Sequence, residues 1–228
     1  MTNPNSFQNI WKLRDIIYII LIILGSLGYA MIISRFLPVD KSIKLLIVEI
    51  ITTTAMIVPI IIILKNRGVA FSQYFTFKLT FKTIFLGLLG ALIVIFIGGA
   101  LAQFISHFIG LDNPQKDLVN FFSDNMILNI LIFKIMIGIV IPFAEELVFR
   151  GVLFNYLKQS FGLWFSIIVS SFAFAIVHAH IVIIPFAFVA GIVCAYMYHR
   201  TNNFAVPVFI HVAINSLMVN ILLLEIVP

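Results

Sequence analysis

Three ionisable side chains interrupt an apolar run of the sequence: Glu145, Glu146 and Arg150, within residues 140–151. At the centre of a membrane helix, a charged group of this kind costs roughly 2.5–3.5 kcal/mol, so the sequence favours a buried polar site over contact with lipid. Glu146 and Arg150 are four residues apart with the acid first, which favours an ion pair on one helical face. Glu145 points about a quarter-turn away, and we predict that it stays outside this pair. An ion-paired helix end at the membrane interface is the alternative that this stretch leaves open.

Three further polar side chains lie in later apolar runs. Phe174 and His178 are four residues apart, as are His211 and Asn215, so each pair occupies one face of a helix. A single histidine in a membrane is more often a hydrogen-bonded packing residue than a ligand or catalyst. The predicted depth of these polar side chains in the membrane, however, favours a role beyond packing.

The depth follows from the turns predicted near Phe161-Gly162 and near Thr201, on the same side of the membrane. At about 1.5 Å per residue, Glu145 and His178 each lie about 24 Å from the first turn. His211 and Asn215 lie about 15 Å and 21 Å from the second turn. We therefore predict that these polar groups converge in one layer.

Such a layer suits hydrolysis by activated water, since neither a serine nor Cys194 is placed as a nucleophile near a histidine. In one chemistry, His178, His211 and Glu145 hold Zn²⁺ with an open position for water. In the other, Glu145 and His178 take a proton from water while His211 and Asn215 donate hydrogen bonds to the oxyanion. The HExxH zinc motif is absent from the sequence, which slightly favours the metal-free chemistry.

Composition defines the environment of these residues. The chain of 228 residues is 62% hydrophobic and 10% charged, with a mean hydropathy of +1.17, which indicates a polytopic membrane protein. The net charge of +5 is spread through short connections without a basic block, so nucleic-acid binding is not predicted. The single cysteine, Cys194, cannot form an intramolecular disulfide, and we expect it to be a packed thiol.

The apolar runs predict an all-α transmembrane bundle of about seven spans in a single domain, 1–228. Four glycines in the third span would allow close helix packing: Gly87, Gly90, Gly98 and Gly99. Residues 65–82 suit an interfacial segment whose rings lie at the headgroup level. Residues 110–125 form an acidic loop, and the fourth span starts at Met126 as one long helix or as two pieces meeting near Pro142. The predicted spans are 16–34, 43–64, 83–109, 126–156, 163–179, 182–198 and 205–225.

The motifs E-E-x-x-x-R, F-x-x-x-H and H-x-x-x-N, in this order on successive membrane helices, resemble the CPBP family over residues 138–220. That family comprises type II CaaX prenyl endopeptidases and bacteriocin-processing or self-immunity (Abi) proteins, described both as metalloproteases and as glutamate-type enzymes. The resemblance implies an intramembrane endopeptidase in which Glu145 activates water and Glu146 and Arg150 support it. It also implies that His178, His211 and Asn215 complete the site, with Phe174 in structural support. His180 would point to the opposite side of a continuing helix, so we predict no catalytic role for it.

The expected partners are a peptide or protein substrate in or at the membrane and the lipid bilayer, and the expected location is a bacterial cell membrane. A non-catalytic immunity or scaffold protein on the same fold is the first alternative, and an ion or solute transporter is the second. The distribution of lysine and arginine favours a cytoplasmic N-terminus and an external C-terminus. That orientation places the polar layer in the outer half of the membrane, whereas prenyl-protein processing would require access from the cytosol.

Overall fold

The computed structural model describes residues 10–110, 132 and 134–226. This part of the chain is helical and contains no strand, which confirms the all-α fold class. The helices are α1 Leu13–Phe36, α2 Lys41–Asn66, α3 Phe71–Tyr74, α4 Phe81–Ile109, α5 136–161, α6 Leu163–Ile176, α7 Ile183–Thr201 and α8 Ala205–Ile226.

Seven of these helices correspond to the seven predicted spans. Four are long and apolar enough to cross a membrane: α1, α2 from Ile43, α4 and α7. Helices α6 and α8 are apolar but shorter, and α5 carries the Glu145–Arg150 stretch. The chain is therefore a multi-pass membrane protein. The predicted acidic loop and the start of the fourth span at Met126 lie outside the described residues.

Two glycines of α4 allow α8 to approach closely. A Cβ atom on Gly87 would overlap the ring of Phe209, and one on Gly90 would lie 2.6 Å from the side chain of Ile210. Gly98 similarly faces Phe186 of α7, with 3.1 Å to its ring. Gly99 faces open space within the described structure, so the prediction of close packing is wrong for this glycine.

Hydrogen bonds join several connections at one end of the bundle. Arg67 follows α2 and contacts Asp15 of α1 at 2.6 Å. The indole of Trp11 donates to the hydroxyl of Tyr74 at 2.7 Å, and the amide of Asn155 on α5 donates to the same hydroxyl at 3.1 Å. These contacts place the start of α1 and the ends of α2 and α5 on the same side, as the predicted topology requires.

The aromatic residues of segment 65–82 divide into two groups. Phe77 and Phe81 are exposed, as predicted for rings at the headgroup level. Phe75, in contrast, is only 1% exposed and packs against Phe204 of the α7–α8 turn, with ring centroids 4.7 Å apart. Tyr74 also faces inward, and burial raises the pKa of its phenol. The interfacial prediction is therefore wrong for Tyr74 and Phe75, whose rings pack the segment onto the bundle.

Helix α5 is continuous through Pro142 but changes its winding twice. Residues Met136–Val140 and Leu147–Phe154 are π-helical, and the α-helical segment Ile141–Glu146 lies between them. Proline has no backbone N–H to donate, and such helix irregularities are frequent at functional sites. The glutamates at the end of the short α-helical segment therefore lie next to a change in helical winding.

Candidate active site

Glu146 and Arg150 form the predicted ion pair inside the bundle. Nη1 of Arg150 lies 2.7 Å from Oε1 of Glu146, and the two side chains are only 1% and 0% exposed. The alternative of a solvated ion pair at a helix end is therefore wrong. Burial of both charges makes each side chain dependent on the other, because removing one would leave an uncompensated charge.

Arg150 also connects α5 to two neighbouring helices. Its Nη2 donates to the carbonyl oxygen of Gly191 on α7 at 3.3 Å, and its guanidinium carbon lies 4.5 Å from the ring centre of Phe174 on α6. Gly191 also allows α7 to approach α6 closely, because a Cβ atom there would lie 2.6 Å from Cβ of Ser171. The arginine thus holds α5, α6 and α7 around the carboxylate of Glu146.

The imidazole of His211 on α8 lies between the two neighbouring glutamates. Its Nδ1 is 3.0 Å from Oε1 of Glu146, and its Nε2 is 3.5 Å from Oε2 of Glu145. The edge of its ring meets the Phe174 ring, with centroids 5.4 Å apart. Both nitrogens of one buried histidine therefore face carboxylates that are adjacent in sequence.

The side chains of the two glutamates differ in how much of their surface is exposed. The side chain of Glu145 is 16% exposed, whereas that of Glu146 is fully buried. Oε1 of Glu146 contacts both Arg150 and His211, while its Oε2 has no hydrogen-bond partner among the described residues. Glu145 is thus the carboxylate that a water molecule can reach more easily.

His178 lies in a turn after α6 and not within a continuing helix. Helix α6 ends at Ile176, and Ala179 adopts a positive φ of 53°. Nδ1 of His178 hydrogen-bonds to the carbonyl oxygen of Phe174 at 2.9 Å, and the two rings meet edge to face at 4.8 Å. No hydrogen bond joins His178 to Glu145 or His211 in the described part of the chain. Phe174 lies between the two histidines and contacts both rings.

His180 belongs to the same turn, and its hydrogen bonds stabilise the start of α7. Its carbonyl oxygen accepts hydrogen bonds from the backbone N–H groups of Ile183 and Ile184, and its Nδ1 accepts a weaker one from Val182 at 3.4 Å. The expected geometry, a continuing helix with His180 on the far side, is wrong because the chain turns before it. The described contacts give His180 a local role in the turn.

Asn215 ties α8 to the first π-helical turn of α5. Its Nδ2 donates to the carbonyl oxygen of Ile137 at 3.1 Å, and Ser216 donates to that of Gly138 at 3.4 Å. A Cβ atom on Gly138 would lie 3.0 Å from the Ser216 hydroxyl, so the glycine permits this close approach. One of the two amide hydrogens of Asn215 is occupied by this contact, and the other remains for a further acceptor.

Glu49 on α2 is a carboxylate near the site that the sequence reading did not single out. It is partly buried, and its negative charge lies close enough to Glu145 to repel it. Helix α2 packs against both Ile141–Glu146 and Leu147–Phe154 of α5. An isolated acid in the middle of an apolar run was the available signal, but nothing in the sequence connected it to Glu145.

The proposed zinc ligands do not form a metal site in this arrangement. In residues 10–110, 132 and 134–226, no three His, Cys, Asp or Glu side chains converge closely enough to hold a metal ion. The geometry thus gives no support to a ligand set of His178, His211 and Glu145.

Comparison with known families finds a match in the segment that carries these residues. Residues 127–217 match the family described as type II CAAX prenyl endopeptidase Rce1-like. This match and the two relatives below confirm the resemblance that was inferred from the motifs.

Two bacterial relatives match a similar share of the chain. "Putative membrane peptidase YdiL" of Bacillus subtilis (strain 168) is 34% identical over 85 residues, which cover 37% of this chain and 35% of the relative. "Membrane-embedded CAAX protease MroQ" of Staphylococcus aureus (strain USA300) is 37% identical over 94 residues, which cover 39% of this chain and 38% of the relative. The matches thus span little more than a third of these relatives. No solved structure gives a significant match.

Proposed function

We propose that this protein is a membrane-embedded endopeptidase that hydrolyses a peptide bond in a peptide or protein located in or at the membrane. The observation that carries the proposal is the position of His211 between Glu145 and Glu146, in a segment that matches a peptidase family. The names of the two relatives, a membrane peptidase and a CAAX protease, support the same reaction class. No serine or cysteine among the described residues is hydrogen-bonded to His178 or His211, so the proposal takes activated water as the attacking group.

Glu145 is the general base in this proposal. Its carboxylate is the more exposed of the two and pairs with no lysine or arginine among the described residues, whereas Glu146 is committed to Arg150. Glu145 takes a proton from water as the water oxygen attacks the peptide carbonyl. When the C–N bond breaks, the same proton passes to the leaving amine, so the carboxylate is regenerated.

His178 assists proton transfer through Nε2. A carbonyl oxygen can only accept a hydrogen bond, so Nδ1 of His178 must donate to the carbonyl of Phe174. In the neutral ring this leaves an unprotonated Nε2, which can accept a proton. The contact with Phe174 thus selects the tautomer that a base requires.

His211 and Asn215 stabilise the oxyanion. Glu146 accepts a hydrogen bond from Nδ1 of His211 and orients the ring. In this proposal His211 acts as the imidazolium, in which both nitrogens carry a proton, so Nε2 can donate towards developing negative charge. Asn215 contributes the amide hydrogen that its bond to Ile137 does not use. Each donor of this kind contributes roughly a hundredfold or more to the rate when it is positioned in advance.

Formation of cleavage products from added peptides would distinguish an enzyme from a binding protein. Purified protein in detergent micelles is incubated with a library of membrane-associated peptides, with and without a prenyl group, and mass spectrometry is used to find cleaved products. We expect defined cleavage products that increase with time and are absent with Glu145→Gln. Peptides that are retained by both proteins but never cleaved would instead indicate an immunity or scaffold protein.

A further inference from the structure

A cleft of about 430 Å³ opens at the end of the bundle where α4 and α8 begin. It lies between the segment 76–83 and the α7–α8 turn, and none of the residues assigned to the active site lines it. Val206, which lines the cleft, precedes His211 on α8 by five residues, or about 7.5 Å along the helix. The cleft is therefore a separate feature on the same helix as the active-site histidine.

The side chain of Asn203 holds the two walls of the cleft together. Its Nδ2 donates to the carbonyl oxygen of Lys78 at 2.8 Å and to the hydroxyl of Thr83 at 3.1 Å. Its Oδ1 accepts from the backbone N–H of Lys78 at 3.0 Å. Phe204 adds a backbone hydrogen bond to the carbonyl of Thr76 at 2.7 Å. These four bonds fix the spacing between segments more than 100 residues apart in sequence.

The charged residues that line the cleft are all cations. They are Lys78, Lys82 and Arg200, and no aspartate or glutamate lines it. None of these cations forms an ion pair within residues 10–110, 132 and 134–226. Three cations without a carboxylate favour an anion with several oxygen atoms.

The surroundings of the cleft indicate where this anion comes from. Phe77, Leu79 and Phe81 lie beside the lysines and are 48%, 66% and 86% exposed. Exposed apolar side chains alternating with lysines are typical of the level at which headgroups meet acyl chains. A free ion in water would gain nothing from this apolar margin, whereas a phospholipid would contact it with its chains.

We propose that the cleft binds the phosphate of an anionic membrane lipid, with Lys78, Lys82 and Arg200 around the headgroup and Phe77 and Phe81 against the acyl chains. The distribution of charge predicts that these connections are cytoplasmic, and anionic lipids attract basic segments on that side. A bound lipid would join the start of α4 to the start of α8. The proposal does not depend on the peptidase reaction.

The test is a titration of the purified full-length chain in a neutral detergent with dioctanoyl phosphatidylglycerol, with dioctanoyl phosphatidylcholine as the neutral comparison and inorganic phosphate as the free-ion comparison. We expect saturable binding of phosphatidylglycerol and a rise in Tm, because a ligand that binds only the folded state stabilises it. Lys78→Gln/Lys82→Gln should weaken this binding about 30-fold, on the scale of two lost lysine contacts with an anionic headgroup. Arg200→Gln provides an independent variant and should weaken binding by about fivefold.

The matched control is Lys12→Gln/Lys65→Gln, which removes two exposed lysines from the same end of the bundle without altering the cleft. Its Kd should stay within about twofold of wild type. The charge-preserving variant Lys78→Arg/Lys82→Arg should keep most of the affinity. Equal losses in the control and cleft variants would show diffuse attraction and overturn the proposal, as would equally tight binding of phosphatidylcholine or of inorganic phosphate.

Discussion

The guanidinium of Arg150 and the carboxylate of Glu146 are 2.7 Å apart and almost completely buried. The same carboxylate oxygen also contacts Nδ1 of His211. Arg150 therefore affects the histidine through Glu146, without touching it. This relationship links the stability of the bundle to the geometry of the proposed active site.

Arg150→Ala is expected to lower the free energy of unfolding by roughly 3–5 kcal/mol, because it leaves the charge of Glu146 buried without its partner. The folded yield should fall, and so should the Tm measured in detergent. Arg35→Ala serves as the control, since this arginine is exposed, and it should behave like wild type. A fully folded Arg150→Ala protein with an unchanged Tm would contradict the structural importance of the pair.

Chelators are expected to leave peptide cleavage unchanged. The described residues form no group of three metal-ligating side chains, and the proposed reaction assigns proton transfer to Glu145 and His178. Cleavage is measured after incubation with 1,10-phenanthroline or EDTA and again after addition of Zn²⁺. Loss of activity with the chelator and recovery with zinc would favour the metalloprotease chemistry.

Glu49→Gln is expected to leave cleavage within roughly tenfold of wild type, short of the ~100-fold minimum for loss of a general base. Glu49 would influence Glu145 through its charge alone, without contact with the reacting atoms. The charge-preserving Glu49→Asp should lie closer to wild type. A loss as large as that for Glu145→Gln would place Glu49 in the chemistry itself.

Substitutions of the histidines and of Asn215 are expected to reduce cleavage by amounts that depend on the role of each residue. His178→Ala and His211→Ala should reduce cleavage by roughly 100- to 10,000-fold, and Asn215→Ala by roughly 100- to 1,000-fold.

His180→Ala and Cys194→Ala should retain nearly full turnover. The carbonyl of His180 accepts hydrogen bonds at the start of α7, and Cys194 is a buried thiol that packs near the Pro207 carbonyl. Initial rates are compared only among variants with wild-type Tm. Full turnover in His211→Ala would remove the histidine from the proposed mechanism.

The helix order and the main ion pair could be predicted from sequence because both depend on local regularities. Apolar runs define the spans, and a spacing of four residues brings Glu146 and Arg150 onto one face. The turns near Gly162 and Thr201 also lie where the sequence placed them, at the ends of α5 and α7.

Other features depend on contacts between helices that no local pattern contains. With a uniform rise of 1.5 Å per residue, the predicted depth of Glu145 was closer to that of Asn215 than to that of His211. In the structure, the carboxylate of Glu145 faces the imidazole of His211. The π-helical segment Leu147–Phe154 lies between Glu145 and the end of α5, and a uniform helical rise could not anticipate this change in winding. The position of Glu49 on a distant helix and the turn that holds His178 likewise required the tertiary structure.

Glu145→Gln tests the central claim most directly, because it preserves the size of the side chain and removes the proposed base. Cleavage of a peptide identified in the library is measured for the wild type, for Glu145→Gln and for His180→Ala, with Tm as the check on folding. We expect Glu145→Gln to reduce kcat/KM by at least ~100-fold at an unchanged Tm, while His180→Ala remains near wild type. Cleavage by Glu145→Gln at the wild-type rate would contradict the mechanism proposed for this site.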